Sequence, residues 1–275
     1  MLRLTLLVDD VATGQGLIAE HGLSFWAEYD GRNYLFDTGQ GHALCHNARA
    51  LGIDLKRTDA ICLSHGHYDH TGAVEEVLEL SPDVRVYAHP DALLEKYALT
   101  RAGTARFIGT PEPVVGKLRA GADLVRTEAP TLVYDGMYLT GPIPRVTEFE
   151  DTGGPFFRDT ACEVPDELMD DQAAYVDTRD GLVVILGCAH AGVINTLTYI
   201  QHLTCQAPLH TVIGGMHLVS ADSYRLDRTV EALAGMGVRR LLPLHCTGFE
   251  ATARLLRDLP AQTSLCPIGT VLEYN

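Results

Sequence analysis

The sequence predicts an α/β fold, because apolar strand patterns and amphipathic helix patterns alternate along most of its 275 residues. A faint internal repeat supports this prediction. In the first half, the motif at residues 35–39 is followed by a predicted helix and then by the motif at 64–67. In the second half, the motif at 185–188 is followed in the same way by a helix and then by the motif at 214–217. Such a duplication fits a four-layer αββα sandwich, in which two sheets pack face to face under outer helices. No linker interrupts the pattern, so residues 1–275 are expected to form a single domain.

The elements of the first half follow from apolar alternation and from the turn residues between segments. Residues 98–130 carry weak periodicity, and 141–172 is the longest stretch without a clear element. A loop of that length in a compact domain usually has a function, so we expect it to cover part of a ligand pocket. Strands are expected at residues 2–8, 24–29, 33–37, 60–64, 84–88 and 132–140, and helices at 42–51, 71–80 and 91–97.

The second half repeats this plan with longer helices. Strands are expected at residues 173–177, 182–187, 209–213, 240–245, 263–267 and 270–273, and helices at 191–203, 222–236 and 248–258.

Residues 65–70 carry three imidazoles and a carboxylate within six positions, HGHYDH. They directly follow the apolar run at 60–64 and precede a helical pattern. A regular strand would send alternate side chains to opposite faces, whereas a loop can fold all four around a metal ion. Imidazole and carboxylate ligands suit zinc, and also iron or manganese. The stretch therefore predicts a metal site at a strand's end.

Composition restricts the partners that the chain can have. Its formal net charge of −15 disfavours nucleic acid, because affinity for phosphates comes mainly from Lys and Arg. No apolar run reaches the roughly 18 residues that a membrane span needs. Seven cysteines are scattered without a CxxC pair, which indicates reduced thiols. We therefore expect a cytoplasmic protein that acts on a small molecule and binds neither nucleic acid nor membrane; its oligomeric state stays open.

The residue order at 65–70 resembles the HxHxDH signature of the metallo-β-lactamase superfamily. Residues 35–39, 187–190 and 244–248 resemble other motifs of that superfamily, so the resemblance covers nearly the whole chain. It implies the αββα sandwich of the metallo-β-lactamase type, with ligands gathered at one edge of the two sheets.

The resemblance also implies a ligand set for two divalent metal ions, with zinc expected and iron or manganese as alternatives. His65 and His67 would bind one ion together with a third histidine, and Asp69 and His70 would help to bind a second. The remaining ligands would come from the ends of later strands, where the sequence places His190 and His245.

The chain departs from the superfamily pattern at one ligand position. Many relatives have Gly-Asp where this chain has Gly187 and Cys188, and that Asp bridges two metal ions. Cys188 could bind zinc as a thiolate or be a buried, inert thiol. Asp37 could orient imidazoles by accepting their second N–H, or could cap a turn. Residues 170 and 171, both Asp, are weaker ligand candidates.

Other residues are expected to act on the substrate. Asp69 would orient the attacking water as well as bind metal. His217 would stabilise charge on the substrate oxygen, or would be an ordinary packed histidine. Arg145 would hold a phosphate, or would be a surface arginine. In the same segment, Phe149 is predicted to bind substrate; Phe149, Phe156 and Phe157 could cover the pocket or pack into the core.

One subgroup resembles the chain more closely, through residues 20–24, 140–145, 187–192, 214–218 and 245–248. It is the metal-dependent hydrolase subgroup that includes archaeal dihydropterin ribofuranosyl-aminobenzene 5′-phosphate synthases, which join a pterin to an arylamine ribotide. We predict a metal-dependent hydrolase that acts on a small molecule through a metal-activated water. The alternatives are a pterin–arylamine ribotide transferase, a di-iron redox enzyme and a non-catalytic binding protein.

Overall fold

The computed structural model describes residues 1–134 and 136–275, and this part of the chain contains sixteen strands and seven α-helices. The strands are β1 (Leu2–Val8), β2 (Ser24–Tyr29), β3 (Arg32–Phe36), β4 (Ala60–Cys62), β5 (Arg85–Ala88), β6 (Tyr97–Leu99), β7 (Ala105–Phe107), β8 (Asp123–Arg126), β9 (Thr131–Val133), β10 (Met137–Leu139), β11 (Phe156–Phe157), β12 (Ala174–Thr178), β13 (Gly181–Leu186), β14 (Leu209–Gly215), β15 (Arg240–Leu244) and β16 (Val271–Tyr274). The helices are α1 (Leu44–Ala50), α2 (Tyr68–Thr71), α3 (Val74–Leu80), α4 (Glu112–Ala120), α5 (Val193–Leu203), α6 (Ser223–Gly235) and α7 (Phe249–Asp258).

The strands form two large sheets and one small one. The first sheet has the order β16-β1-β2-β3-β4-β5-β8, and the second has the order β15-β14-β13-β12-β10-β9. The small sheet has the order β11-β6-β7. Strands β3, β4, β5 and β8 run parallel, as do β13, β14 and β15, so helical crossovers connect them.

Alternate residues of each strand belong to different cores, as the pleat requires. In β2, Phe25 packs between the two sheets while its neighbour Trp26 packs under the first helical layer. In β13, Ile185 lies between the sheets and Val184 lies under the second helical layer. The outer cores are completed by side chains of α1, α3 and α4 on one side and of α5, α6 and α7 on the other. This confirms the predicted αββα sandwich.

Several predicted elements differ from the observed ones. The helix expected at 71–80 is divided into α2 and α3, and that expected at 91–97 is a 3₁₀ turn, Pro90–Leu93, followed by β6. The strand expected at 132–140 is two strands, β9 and β10; residue 135 between them lies outside the described residues. The strand expected at 263–267 was wrong: only a bridge between Leu241 and Thr263 forms there.

Segment 98–130, where weak periodicity predicted no element, contains β7, α4 and β8. Among the described residues, no helix has the length and hydrophobicity that crossing a membrane requires.

Candidate metal centre

The predicted metal loop lies between β4 and α2 and is held by its backbone. The Gly66 N–H donates to Asp170 Oδ2 over 2.7 Å. A Cβ atom at Gly66 would stand 2.2 Å from the carbonyl oxygen of Ala92, so only glycine fits this close approach. The predicted residues His190, His217 and His245 follow β13, β14 and β15. The carboxyl ends of these strands meet the loop at one edge of the sandwich.

Three imidazoles form a first cluster, which consists of His65, His67 and His190. The Nε2 atom of His65 lies 2.9 Å from Nδ1 of His67, and one ring nitrogen from each of the three side chains falls within 4.8 Å of the others. All three side chains are buried. The structure therefore brings together the three histidines that the sequence assigned to one ion.

Hydrogen bonds on the outer side of the first cluster set its tautomers. The Nδ1–H of His190 donates to the Thr152 carbonyl oxygen over 2.8 Å. The Ser64 hydroxyl donates to Asp37 Oδ2, so His65 Nδ1–H must donate to Ser64 Oγ, 2.9 Å away. In both imidazoles, Nε2 is thus left to face the cluster. Metal-binding histidines are oriented in this way.

A second cluster consists of Asp69, His70 and His245. The Asp69 Oδ2 atom lies 3.7 Å from His70 Nε2 and 3.4 Å from His245 Nε2. In this cluster, carboxylates bind the outer nitrogens: Asp37 Oδ2 is 2.7 Å from His70 Nδ1, and Asp10 Oδ1 is 2.7 Å from His245 Nδ1. Asp37 therefore accepts a hydrogen bond from the outer nitrogen of His70, and its role at a metal site stays a prediction.

The donor set fits divalent metal. Among residues 1–134 and 136–275, the buried Nε2 atoms of His190 and His245 have no hydrogen-bond partner. A buried polar atom without a partner is costly, and a metal ion would remove that cost. Neutral imidazole nitrogens and a carboxylate oxygen are ligands of zinc, iron and manganese.

Burial sets the charge of the two clusters. It lowers the pKa of His65 and His190 well below the usual range, and it lowers the pKa of His67 to about 3. These imidazoles are therefore neutral near pH 7, as metal ligands must be. Burial opposes charge on His245 as well, but the neighbouring carboxylates of Asp10 and Asp69 outweigh it and raise the pKa of His245 well above the usual range. A metal cation would replace that proton.

Cys188 and His217, which the sequence also proposed for the site, each lie next to a histidine of one cluster. The Sγ atom of Cys188 is buried 3.2 Å from His70 Nε2. The ring of His217 lies 4.3 Å from that of His190, with a buried Nδ1 that has no hydrogen-bond partner among the described residues. His217 has a positive φ of 44°, so its backbone is held in an uncommon conformation.

The two weaker ligand candidates bind backbone groups. Asp170 accepts from Gly66 and from the buried ammonium of Lys96. Asp171 Oδ2 accepts from the Ala191 N–H over 2.9 Å, and burial raises the pKa of Asp171 to about 7. Both residues therefore support the ligand loops through their main chains.

The long segment 141–172 contributes one aromatic ring to the clusters. Phe156 lies 5.3 Å from the rings of both His67 and His190, and 6.0 Å from His217. Phe149 packs with the second outer core, with its ring 5.5 Å from the Arg228 guanidinium.

The other two candidates of this segment bind elsewhere. Arg145 contacts the Glu167 carbonyl oxygen and lies 3.6 Å from the Glu167 carboxylate. Phe157 pairs with Tyr97 of β6 through its backbone. The substrate-binding roles of Arg145 and Phe149 stay predictions.

Three residues near the second cluster were not assigned from the sequence. Asp9 Oδ1 accepts the His245 N–H over 2.8 Å, and Asp10 binds both His245 and His21. His21 Nε2 lies 3.3 Å from Asp69 Oδ2. The only sequence signals were that Asp9 and Asp10 directly follow β1 and that His21 lies in one of the subgroup motifs.

Comparison with known proteins agrees with this geometry. The sequence profile of the metallo-β-lactamase superfamily matches residues 18–245. The chain belongs to the metallo-β-lactamase superfamily. Membership confirms the resemblance inferred from HxHxDH and implies that divalent metal is bound.

Three similar proteins extend over nearly the whole chain. A crystal structure of a metal-dependent hydrolase of the β-lactamase superfamily has a TM-score of 0.85 and 32% identity, and covers 100% of both chains. An uncharacterized protein of Methanocaldococcus jannaschii is 33% identical over 91% of this chain and 92% of its own. From the same organism, 7,8-dihydropterin-6-methyl-4-(β-D-ribofuranosyl)-aminobenzene-5′-phosphate synthase is 28% identical over 98% and 95%.

Proposed function

We propose that this protein is a metal-dependent hydrolase of a small molecule, and that the residues of the first and second clusters hold two divalent ions. The observation that carries the proposal is the first cluster, in which one nitrogen from each of three buried, neutral imidazoles lies within 4.8 Å of the others. Asp69, which follows His67 in the same motif, adds a buried carboxylate. A bound divalent metal supplies Lewis acidity and lowers the pKa of a coordinated water toward neutrality. Zinc is the metal we expect for these ligands.

The chain's own residues would orient the reactants. Asp69 Oδ2, at the centre of the second cluster, would accept a hydrogen bond from the attacking water and so direct it at the substrate. The ring of His217 lies 4.3 Å from that of His190, and among the described residues its buried Nδ1 has no hydrogen-bond partner. That nitrogen would donate to the substrate oxygen as negative charge develops on it. Phe156 would cover the first cluster and exclude bulk water.

A cavity next to the second cluster supports a substrate with an apolar part. It has a volume of about 660 Å³, within the range of small-molecule sites, and Asp10 and His245 form one of its walls. Its other walls include Val11, Phe249 and Leu265, all of which are exposed apolar side chains. We propose that the reacting bond lies at the clusters while an apolar group of the substrate occupies this cavity.

The test is a substitution in the first cluster. Purified His67→Ala should lose turnover on every accepted member of a screen of small phosphoesters, lactones and thioesters, and should bind metal more weakly. The chain should still fold, because His67 is on a loop and its loss leaves no large core cavity. His202→Ala, an exposed position near the end of α5, is the matched control and should keep both properties. Wild-type turnover by His67→Ala at matched metal content would refute the hydrolase proposal.

A second candidate is pterin–arylamine ribotide transfer. It is favoured by the 28% identity to the archaeal synthase over 98% of this chain. Incubation of the metal-loaded protein with a pterin and an arylamine ribotide, followed by mass spectrometry, separates the two proposals. A joined product supports transfer, whereas cleavage of a single substrate in its absence supports hydrolysis.

A further inference from the structure

One carboxylate, Asp10, binds two imidazoles at the solvent side of the second cluster. Its Oδ1 lies 2.7 Å from Nδ1 of His245, and its Oδ2 lies 3.1 Å from Nδ1 of His21. An ionised carboxylate only accepts, so each Nδ1 donates. Both rings are therefore turned the same way, with Nε2 on the side away from Asp10. A carboxylate on the outer nitrogen is the usual partner of a metal-binding histidine.

Both Nε2 atoms face the same oxygen. Asp69 Oδ2 is 3.3 Å from Nε2 of His21 and 3.4 Å from Nε2 of His245, and His70 Nε2 is 3.7 Å away. Ligands that lie about 2.0–2.1 Å from a tetrahedral zinc ion stand about 3.3–3.4 Å apart by geometry alone. The distances from Asp69 Oδ2 to Nε2 of His21 and of His245 match the edge of such a tetrahedron, and the distance to His70 Nε2 is slightly longer.

Backbone hydrogen bonds of the residues after His21 keep it next to Asp69, although the His21 side chain is 54% exposed. The next residue, Gly22, donates its N–H to Asp10 Oδ1 over 3.2 Å, and the Leu23 N–H donates to the Asp69 carbonyl oxygen over 3.3 Å. A Cβ atom at Gly22 would stand 2.5 Å from that same carbonyl oxygen. The segment therefore packs directly against the backbone of Asp69, and His21 is not a loosely held surface histidine.

We propose that His21 is a ligand of the second metal site, where it completes a donor set with Asp69, His70 and His245. The inference rests on the second metal ion of the proposed function. Cys188, whose Sγ lies 3.2 Å from His70 Nε2, is then a neighbour of the site and not its fourth ligand. The exposed imidazole is the member of the set that borders solvent and incoming substrate.

The experiment measures metal binding directly. Full-length protein is stripped with a chelator and titrated with Zn²⁺ in competition with a chromophoric chelator. The wild type should bind two ions. His21→Ala should keep the affinity of the first ion and bind the second at least about tenfold more weakly, the size of effect seen when support around a metal site is lost. His42→Ala is the control: this exposed histidine is on the adjoining loop and contributes a backbone N–H to Glu20, which alanine keeps.

Cobalt(II) identifies the fourth ligand. In the second site of the wild type, the visible bands should be those of a tetrahedral ion, without a thiolate-to-cobalt charge-transfer band in the near ultraviolet. His21→Ala and His21→Gln should change the visible bands, and Cys188→Ser should not. Far-ultraviolet circular dichroism of the metal-free variants checks that each is folded.

Two results would overturn the proposal. One is unchanged affinity for both ions in His21→Ala and His21→Gln, which would leave His21 as a hydrogen-bonding bridge between Asp10 and Asp69. The other is a charge-transfer band that only Cys188→Ser removes, which would make the thiolate the fourth ligand. Either result leaves the hydrolase proposal intact, because that proposal depends on turnover and on His67. Conversely, failure of every substrate screen would not change the metal titration.

Discussion

A buried ammonium supports the metal loop, and its removal should destabilise the whole protein. Lys96 has a side chain only 1% exposed, and its Nζ lies 2.9 Å from Asp166 and 2.8 Å from Asp170, both of whose side chains are 0% exposed. Asp170 in turn accepts the N–H of Gly66 in the metal loop. Replacing Lys96 by Met keeps most of the volume but leaves two buried carboxylates without their shared ammonium. Asp166 keeps its ion pair with Arg158.

The expected loss is about 3–5 kcal/mol in the free energy of unfolding, the usual cost of removing one partner from a buried ion pair. That is a large part of the roughly 5–15 kcal/mol that stabilises a typical domain. The double variant Lys96→Met with Asp170→Asn should recover part of the loss, because the amide oxygen can still accept from Gly66 and carries no buried charge.

Lys117→Met is the matched control. Its ammonium also bridges two carboxylates, Glu75 at 3.1 Å and Glu79 at 2.8 Å, but its side chain is 37% exposed. Exposed pairs contribute about 0–1 kcal/mol. Urea unfolding can be followed by the fluorescence of Trp26, which is buried and is the chain's single tryptophan. Equal unfolding free energies for Lys96→Met and Lys117→Met would refute the reasoning.

The difference in unfolding free energy between Lys96→Met and the wild type should depend on pH. Burial opposes charge on Asp166, but Lys96 outweighs it and keeps the pKa of Asp166 below the usual range. A lowered folded-state pKa contributes stability above the unfolded pKa, and this contribution is lost as pH falls through the folded value. Without Lys96, the part of that contribution that comes from its ammonium is lost. The difference between Lys96→Met and the wild type should therefore be full at neutral pH and shrink below about pH 4.

Three further predictions concern the metal loop and its surroundings. Gly66→Ala should lose metal and about 1–3 kcal/mol of stability, because the new Cβ meets the carbonyl oxygen of Ala92; Gly116→Ala, where nothing lies within 4 Å, should instead gain about 0.5–1 kcal/mol by thermal or urea unfolding. Asp37→Asn should weaken metal binding about 10–100-fold in a chelator competition. Asp37 accepts the Ser64 N–H at Oδ1, and the Ser64 hydroxyl and the His70 Nδ1–H at Oδ2, whereas an amide would place its N–H₂ group against the donors at one of these two positions. Phe156→Ala should raise KM while metal content by atomic absorption stays at two ions; an unchanged KM on every accepted substrate would contradict its role as a cover.

The sequence predicted the strands that form clear apolar runs and missed short elements with few buried residues. Strands β1, β2 and β13 were predicted within a residue or two, because they are largely apolar runs of strand length that are buried on both faces. Helix α4 was missed, since its two buried residues, Val114 and Leu118, give too weak a pattern in a nine-residue helix. The small sheet was missed because its strands are two or three residues long and none of their residues is fully buried.

The sequence by itself determined where metal would be expected, because the HxHxDH ligands are neighbours in the chain and a loop of six residues cannot hold them far apart. It also placed His190 and His245 at strand ends, since apolar runs stop directly before them. Only the tertiary structure decided which side chains from distant loops join these ligands. His21 meets Asp69, and Phe156 meets His67, through packing between segments separated by 48 and 89 positions of the chain. Local patterns carry no information about such contacts, because they are set by how the two sheets and their loops close on one another.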